Sequence, residues 1–154
     1  MTIRKMEKRD YPAYCALLFE VHGLHAENRP DIFKEEAVFP DEAAFENMLA
    51  DTEQVLLAAE EGGEMIGMCL MEVRTPKAAH VHHRRIGHIG DLCVRSDFRG
   101  RGIGTQLYRA MKERAREMGL ARIELMVWAF NEDAKRFYEK LGMNVRSYTM
   151  EDRL

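Results

Sequence analysis

The chain has 154 residues, of which 46% are hydrophobic and 32% charged, and its formal net charge is -3. These values predict one globular domain over residues 1–154 with a sizeable core, and they exclude a strongly basic protein that binds nucleic acid through its net charge. No apolar run reaches the roughly 20 residues of a membrane helix, so no membrane partner is expected. The charged N-terminus lacks the apolar core of a signal peptide. The three cysteines, Cys15, Cys69 and Cys93, lie far apart among apolar neighbours. This pattern indicates reduced thiols in a cytoplasmic protein.

The first half of the chain predicts a strand, two helices and a hairpin. Residues 2–6 alternate weakly as a first strand, and Asp10 is placed to cap a helix that follows it. Asp41 is placed to cap a second, short helix. Residues 55–59 and 65–73 are apolar runs separated by a Glu-Gly-Gly-Glu turn, so they are expected to pair as antiparallel strands.

The second half predicts a strand, a helix and a further strand. A loop rich in His and Arg, residues 75–85, leads into a strand over residues 86–94. An amphipathic helix follows over residues 103–118, and residues 123–127 then alternate as a strand. A strand–helix–strand unit of this spacing is a crossover connection, so its two strands should be parallel.

The C-terminal part predicts a last helix and a last strand. Asn131 is placed to cap the helix and Gly142 to end it, and residues 144–150 form a candidate final strand. The predicted fold is therefore an α/β domain with a mixed central sheet. Its N-terminal strands are antiparallel, its central pair is parallel, and about four helices flank it.

A glycine-rich turn joins the strand of residues 86–94 to the following helix. Gly100, Gly102 and Gly104 let the backbone approach a ligand closely and adopt conformations closed to other residues. The helix that begins here offers unpaired N–H groups and the positive end of its dipole. Arg99 and Arg101 add positive charge beside it. This combination predicts an anion site, most naturally for a phosphate or pyrophosphate.

Two common nucleotide-binding folds do not explain this turn. A P-loop needs a lysine followed by serine or threonine after its last glycine, whereas here Gly104 is followed by Thr-Gln-Leu. A dinucleotide-binding fold places its glycines after the first strand. Here they follow about three predicted strands, so both interpretations are disfavoured.

Two motifs resemble those of the GCN5-related N-acetyltransferases (GNAT family). Residues 99–104, Arg-Gly-Arg-Gly-Ile-Gly, fit the family signature Arg/Gln-x-x-Gly-x-Gly/Ala. Residues 131–142 resemble its second motif, Asn-x-x-Ala-x-x-Phe-Tyr-x-x-x-Gly. The resemblance extends over residues 86–143 and implies the acyl-CoA N-acyltransferase fold, in which the central parallel strands splay apart. It also implies direct transfer of an acetyl group from acetyl-CoA to an amine.

The resemblance assigns residues to the co-substrate acetyl-CoA. The backbone of the central strand would pair with the pantetheine arm, the amides of the glycine turn would hold the pyrophosphate, and the Asn of the second motif would contact the arm. The expected binding residues are Leu92, Cys93, Val94, Arg99, Gly100, Arg101, Gly102, Ile103, Gly104, Thr105, Asn131, Ala134 and Phe137.

The resemblance also implies catalytic roles. Tyr138 would be the general acid that protonates the departing thiolate, although from its spacing alone it could equally be a core aromatic residue. Asp91 is the first candidate for the general base, ahead of His88 and Glu72, and it could instead support the adjoining loop. In polyamine-acetylating relatives a Glu stands one position before the residue matching Asp91, where this chain has Gly90.

The acceptor is expected to be a small amine or a protein N-terminus. His22, His25, Arg29 and Phe33 lie where this family's substrate-facing loop falls, and a homodimer is implied by the resemblance only. A non-catalytic acyl-CoA-binding regulatory module on the same fold is an alternative, and an enzyme for longer acyl groups is another. The histidines of the region from residue 80 to 88 have no recognised ligand spacing, so a solvated loop is predicted there and no metal site.

Overall fold

In the computed structural model, which describes residues 1–154, one five-stranded mixed sheet organises the chain. The strands lie in the sheet in chain order, the first three pairings are antiparallel, and the last is parallel. The predicted mixed sheet is therefore confirmed. The strands are β1 (Thr2–Lys5), β2 (Gln54–Glu61), β3 (Glu64–Arg74), β4 (Ile86–Val94) and β5 (Ile123–Leu125).

Four α-helices flank the sheet: α1 (Tyr11–Asn28), α2 (Glu42–Ala50), α3 (Ile103–Glu117) and α4 (Glu132–Lys140). None of them combines the length and the apolar character needed to cross a membrane.

Two of the three predicted helix caps are present. The Asp41 side chain accepts a hydrogen bond from the amide of Ala44 at 2.8 Å, and the Asn131 side chain accepts one from Ala134 at 3.1 Å. The expected cap by Asp10 is wrong, although α1 begins directly after it. The carboxylate of Asp10 is instead held by the guanidinium of Arg4, at 2.7 Å.

The sheet separates two hydrophobic clusters. One face packs against α3 through a cluster that includes Leu107 and Met111, with Tyr138 of α4 at its border. The other face packs against α1 and α2 through a cluster that includes Tyr14, Leu17 and Phe45. All three cysteines are free.

A bulge in β4 changes which face its side chains occupy. Asp91 lies opposite Leu70 of β3 and Ile89 lies opposite Met71, so Gly90 is an extra residue in β4. A bulge of one residue resets the in–out alternation of a strand. Ile89 therefore faces α3, whereas Asp91 lies on the α1 side, together with Leu70.

The parallel pair at the centre of the sheet comes apart after a short contact. Gly87, His88 and Ile89 pair with residues 123–125 of β5, and no pairing between the two strands continues beyond Ile89. β4 runs on to Val94 and is paired there only with β3. The predicted splay of the central strands is thus present, and it leaves one backbone edge of β4 free.

The predicted final strand over residues 144–150 is wrong. This segment forms no ladder with β5, and Val145, Tyr148 and Met150 remain 52%, 83% and 87% exposed. It is held by side chains instead, through an ion pair between Arg146 and Glu124. Its alternating sequence would suit a strand, but β5 offers only three paired residues as a template.

Candidate active site

A cavity of about 390 Å³ lies beside the free edge of β4. Its walls are the end of β4, the glycine turn and the facing side of α4. Most of the predicted acetyl-CoA-binding residues line it, and Tyr138 does too. Phe98 and Asp133, which were not predicted, complete the wall. The predicted residues in the wall are Leu92, Val94, Arg99, Gly100, Gly102, Ile103, Gly104, Thr105, Ala134 and Phe137.

Three of the predicted binding residues lie outside this wall. The thiol of Cys93 points to the α1 side of the sheet, where it donates to the carbonyl of Leu17 at 3.8 Å. The guanidinium of Arg101 pairs with Glu61 at 3.0 Å. The side-chain oxygen of Asn131 is occupied by its helix cap. Their assignment to acetyl-CoA remains a prediction, and for Cys93 it can involve only the backbone.

The glycine turn presents a row of free amides to the cavity. Gly100 and Gly102 both have a φ of 77°, a conformation that favours glycine. None of the amides of residues 100–105 donates a turn or cap hydrogen bond, and no acidic side chain stands in the first turn of α3. Free amides at a helix N-terminus attract an anion, so this turn is suited to a phosphate group.

An ion pair connects the glycine turn to α1. Arg99 pairs with Glu20 of α1 at 2.9 Å and donates to the carbonyl of Val94 at 2.9 Å. The side chain of Arg99 is 59% exposed, and exposed pairs of this kind contribute little to stability. The guanidinium can therefore exchange its carboxylate partner for a phosphate at small cost.

Tyr138 stands in the cavity wall and is partly buried. Its ring packs edge-on against Tyr108, with the ring centres 6.2 Å apart, and against Phe137 at 5.0 Å. Burial raises the pKa of its phenol, and the nearby charge of Asp91 adds to that effect. The hydroxyl is therefore protonated at neutral pH and able to donate.

Asp91 is a partly buried carboxyl on the α1 side of β4. Burial raises its pKa, and no hydrogen bond or cation lowers it. Its charge also helps to raise the pKa of Tyr14 to about 12. The other two candidate bases, His88 and Glu72, face each other across β3 and β4 and do not line the cavity.

A second cavity, of about 440 Å³, lies where β3, the start of α1 and the residue after β4 meet. Its charged side chains already have partners: Arg9 pairs with Glu7 and Glu60, and Arg95 pairs with Glu64. This cavity therefore offers no free charge for catalysis or binding.

The residues predicted to face the acceptor come together around a tryptophan. The Phe33 ring lies 5.3 Å from that of Trp128 and 5.0 Å from that of His25, and the Arg29 guanidinium stands 5.6 Å above Trp128. The three histidines of the loop between residues 80 and 83 are exposed and are not among these rings. No group of three or more His, Cys, Asp or Glu side chains is arranged to hold a metal ion.

Comparison with known proteins identifies the family of the chain. The family model "Acetyltransferase (GNAT) family" matches residues 18–143. The chain belongs to the GNAT family. Among its GNAT relatives, the N-acetyltransferase YdgE of Bacillus subtilis is 28% identical over 99% of this chain and 98% of that protein. The N-acetyltransferase MJ1207 of Methanocaldococcus jannaschii is 31% identical over 64% of this chain, which spans only 42% of MJ1207.

A solved structure shares the fold over the full chain. The X-ray structure of a tetramutant of the BH1408 protein from Bacillus halodurans superposes with a TM-score of 0.92, covering 100% of both chains at 31% identity. The fold implied by the motifs is confirmed. The enzyme class is confirmed as well, because the matching family is one of acetyltransferases and the relatives of this GNAT protein are named N-acetyltransferases.

Proposed function

We propose that the chain binds acetyl-CoA in the 390 Å³ cavity and transfers the acetyl group directly to a primary amine, either a small amine or a protein N-terminus. One observation carries this proposal. The free edge of β4, the free amides of the glycine turn and the hydroxyl-bearing ring of Tyr138 all border the same cavity.

The donor groups of the cavity match the parts of acetyl-CoA. An extended arm with amide groups needs backbone donors and acceptors, and beyond Ile89 the edge of β4 that faces away from β3 has no strand partner. On that edge the carbonyl of Val94 accepts from Arg99. A pyrophosphate needs several N–H donors and positive charge, which residues 100–105 and Arg99 supply. When bound, acetyl-CoA supplies the acetyl group as a reactive thioester.

Each step of the transfer has a residue suited to it. Asp91 takes the proton from the acceptor ammonium, so that a neutral amine attacks. A backbone N–H of β4, at Val94 or its neighbour, donates to the thioester oxygen as negative charge develops there. Tyr138 gives its proton to the sulfur as the carbon–sulfur bond breaks and the carbon–nitrogen bond forms. The attacking nitrogen loses its second proton to the Tyr138 phenolate, which restores the hydroxyl.

The state of Cys93 supports direct transfer. Burial raises the pKa of its thiol to about 11, so it is protonated at neutral pH. A protonated thiol that donates to the carbonyl of Leu17 is a poor nucleophile. An acyl-cysteine intermediate is therefore not needed, and proximity of amine and thioester provides the acceleration.

The proposal is tested by measuring acetyl-CoA binding by calorimetry and then CoA release with a panel of primary amines. Binding together with turnover is the expected result. Absence of binding would contradict the proposal. Binding without turnover of any amine would instead indicate the regulatory module that uses the same fold without catalysis.

Asp91→Asn is expected to lower kcat/KM about tenfold, because water can still accept the proton, but less efficiently. In the wild type, the rate should rise with pH through the pKa of Asp91, which burial places above the ordinary carboxyl range. The variant should lose this rise. The measurement is the pH dependence of kcat/KM for both proteins, and identical profiles would remove Asp91 from the mechanism.

The same variant provides a stability control. Burial raises the pKa of Asp91 in the folded state. Ionisation of this carboxyl therefore lowers the free energy of unfolding as the pH rises above the ordinary pKa of an aspartate. Asp91→Asn should therefore raise the melting temperature at neutral pH, and the difference should vanish in acid. A loss of activity together with a gain in stability cannot come from misfolding.

A further inference from the structure

Six aromatic rings gather outside the fully buried residues of the two hydrophobic clusters, and one of them, Phe39, packs against the cluster on the α1 side. They come from α1, from the segment after it, and from the segment after β5, and all of them are only partly buried. We call this set the aromatic cluster: His22, His25, Phe33, Phe39, Trp128 and Phe130.

Trp128 is the centre of the aromatic cluster. The Phe33 ring meets it edge-on with an interplanar angle of 73°, and the Phe130 ring lies nearly parallel to it, 6.2 Å away. His25 stacks on Phe33 at 5.0 Å, and its ring centre lies 6.4 Å from that of Trp128. Edge-on and offset arrangements of this kind are the ones that aromatic rings prefer, so a further aromatic ring can join the partly exposed cluster by the same contacts.

The aromatic cluster stands on the acceptor side of the proposed reaction. Trp128 lies just beyond β5, where β5 has diverged from β4. α1, which carries His22 and His25, lies over the face of β4 to which Cys93 and Asp91 belong. Leu92 and Val94, by contrast, face the acetyl-CoA cavity. The cluster and the proposed base therefore share the face of the sheet opposite to that cavity.

No free charge accompanies these rings. The one cation on Trp128, Arg29, pairs with Asp31 at 2.8 Å and with Glu151 at 2.8 Å. Burial lowers the pKa of His25, which favours its neutral form. The Nε2 atom of His22 forms a hydrogen bond with the carbonyl of Lys34 at 2.8 Å. An anionic acceptor therefore has no free cation to bind here. An acceptor that carries a second ammonium group would meet a Trp128 ring of which Arg29 already covers one face.

We infer that the acceptor is an arylalkylamine, whose aromatic ring packs on Trp128 and Phe33 while its amino group reaches Asp91. This inference rests on the proposed acetyl transfer and names its substrate class. Ring stacking provides the selectivity, because the neutral aromatic cluster has little else with which to distinguish amines.

The test compares three acceptors with the full-length protein: 2-phenylethylamine, spermidine and glucosamine 6-phosphate. The highest kcat/KM is expected for 2-phenylethylamine. Trp128→Leu, which keeps an apolar side chain but removes the ring, should raise the KM for this amine about tenfold. Its kcat and the KM for acetyl-CoA should stay unchanged. The matched control is Phe19→Leu, on a ring of α1 that is 66% exposed and lies outside the aromatic cluster.

The outcomes separate the two proposals. A preference for spermidine or for the sugar phosphate, or an unchanged KM in Trp128→Leu, would overturn the aromatic acceptor and leave acetyl transfer standing. Failure of the wild type to bind acetyl-CoA in calorimetry would overturn acetyl transfer itself. Binding of acetyl-CoA without acetylation of any of the three amines would overturn the aromatic acceptor and favour the regulatory module.

Discussion

Replacing Tyr138 with phenylalanine is expected to lower kcat by about 100-fold or more, the usual contribution of a positioned proton donor. The KM for acetyl-CoA should change little, because the ring that packs against Tyr108 and Phe137 is retained. Only the hydroxyl is lost, and with it the proton for the departing sulfur. Steady-state kinetics with saturating amine would measure this directly.

The matched control for this variant is Tyr108→Phe. Tyr108 is 4% exposed and its ring touches that of Tyr138, but it does not line the cavity. Loss of its hydroxyl should leave kcat unchanged. If Tyr138→Phe were as active as the wild type, water would have to protonate the sulfur, and Tyr138 would be a packing residue only.

Gly102→Asp is expected to weaken acetyl-CoA binding by about 100-fold or more, since it places an anion among the amides proposed to hold the pyrophosphate. Gly102 is the N-cap residue of α3. Aspartate at this position can accept hydrogen bonds from the first amides of the helix, which offsets part of the strain of a φ of 77°. The protein should therefore fold while its anion site is filled by its own side chain.

Two further variants separate the causes of this effect. Gly102→Ala introduces the backbone strain without the carboxylate, and it should weaken binding much less. Gly119→Asp, at the opposite end of α3, introduces a carboxylate at a φ of 68° away from the cavity, and it should leave binding intact. Calorimetric titration with acetyl-CoA and a melting curve for each variant provide the comparison. Normal binding by Gly102→Asp would mean that the pyrophosphate lies elsewhere.

The features that the sequence predicted well are local ones. The glycine turn, the helix after it and the caps by Asp41 and Asn131 depend on residues only a few positions apart, and all are present. The cavity wall could be named in advance for the same reason, because its two motifs each form one local element. Asp10 was the exception, since the guanidinium of Arg4 and the amide of Glu7, both on its N-terminal side, donate to its carboxylate.

The features that could not be predicted depend on partners far away in the chain. The bulge at Gly90 exists only in the register between β3 and β4, yet it decides the face on which Asp91 lies. The alternating residues 144–150 would need a longer β5 edge to become a strand. The aromatic cluster unites residues from α1 with Trp128 and Phe130. The resemblance placed the residues in and after α1 at the acceptor, but no local pattern indicated that the two rings after β5 join them.

The Gly90 bulge gives one strand two independent tasks. Because the side chains on either side of β4 belong to different compartments, the proposed function predicts that substitutions near Trp128 alter the amine that is chosen without disturbing the surface proposed to receive the donor. Such a division allows acceptor preference to diverge during evolution while the donor apparatus stays constant. Exchange of the segment that follows α1 is therefore the route to re-engineering this protein for a new amine, whereas α1 itself contributes Glu20 to the ion pair with Arg99.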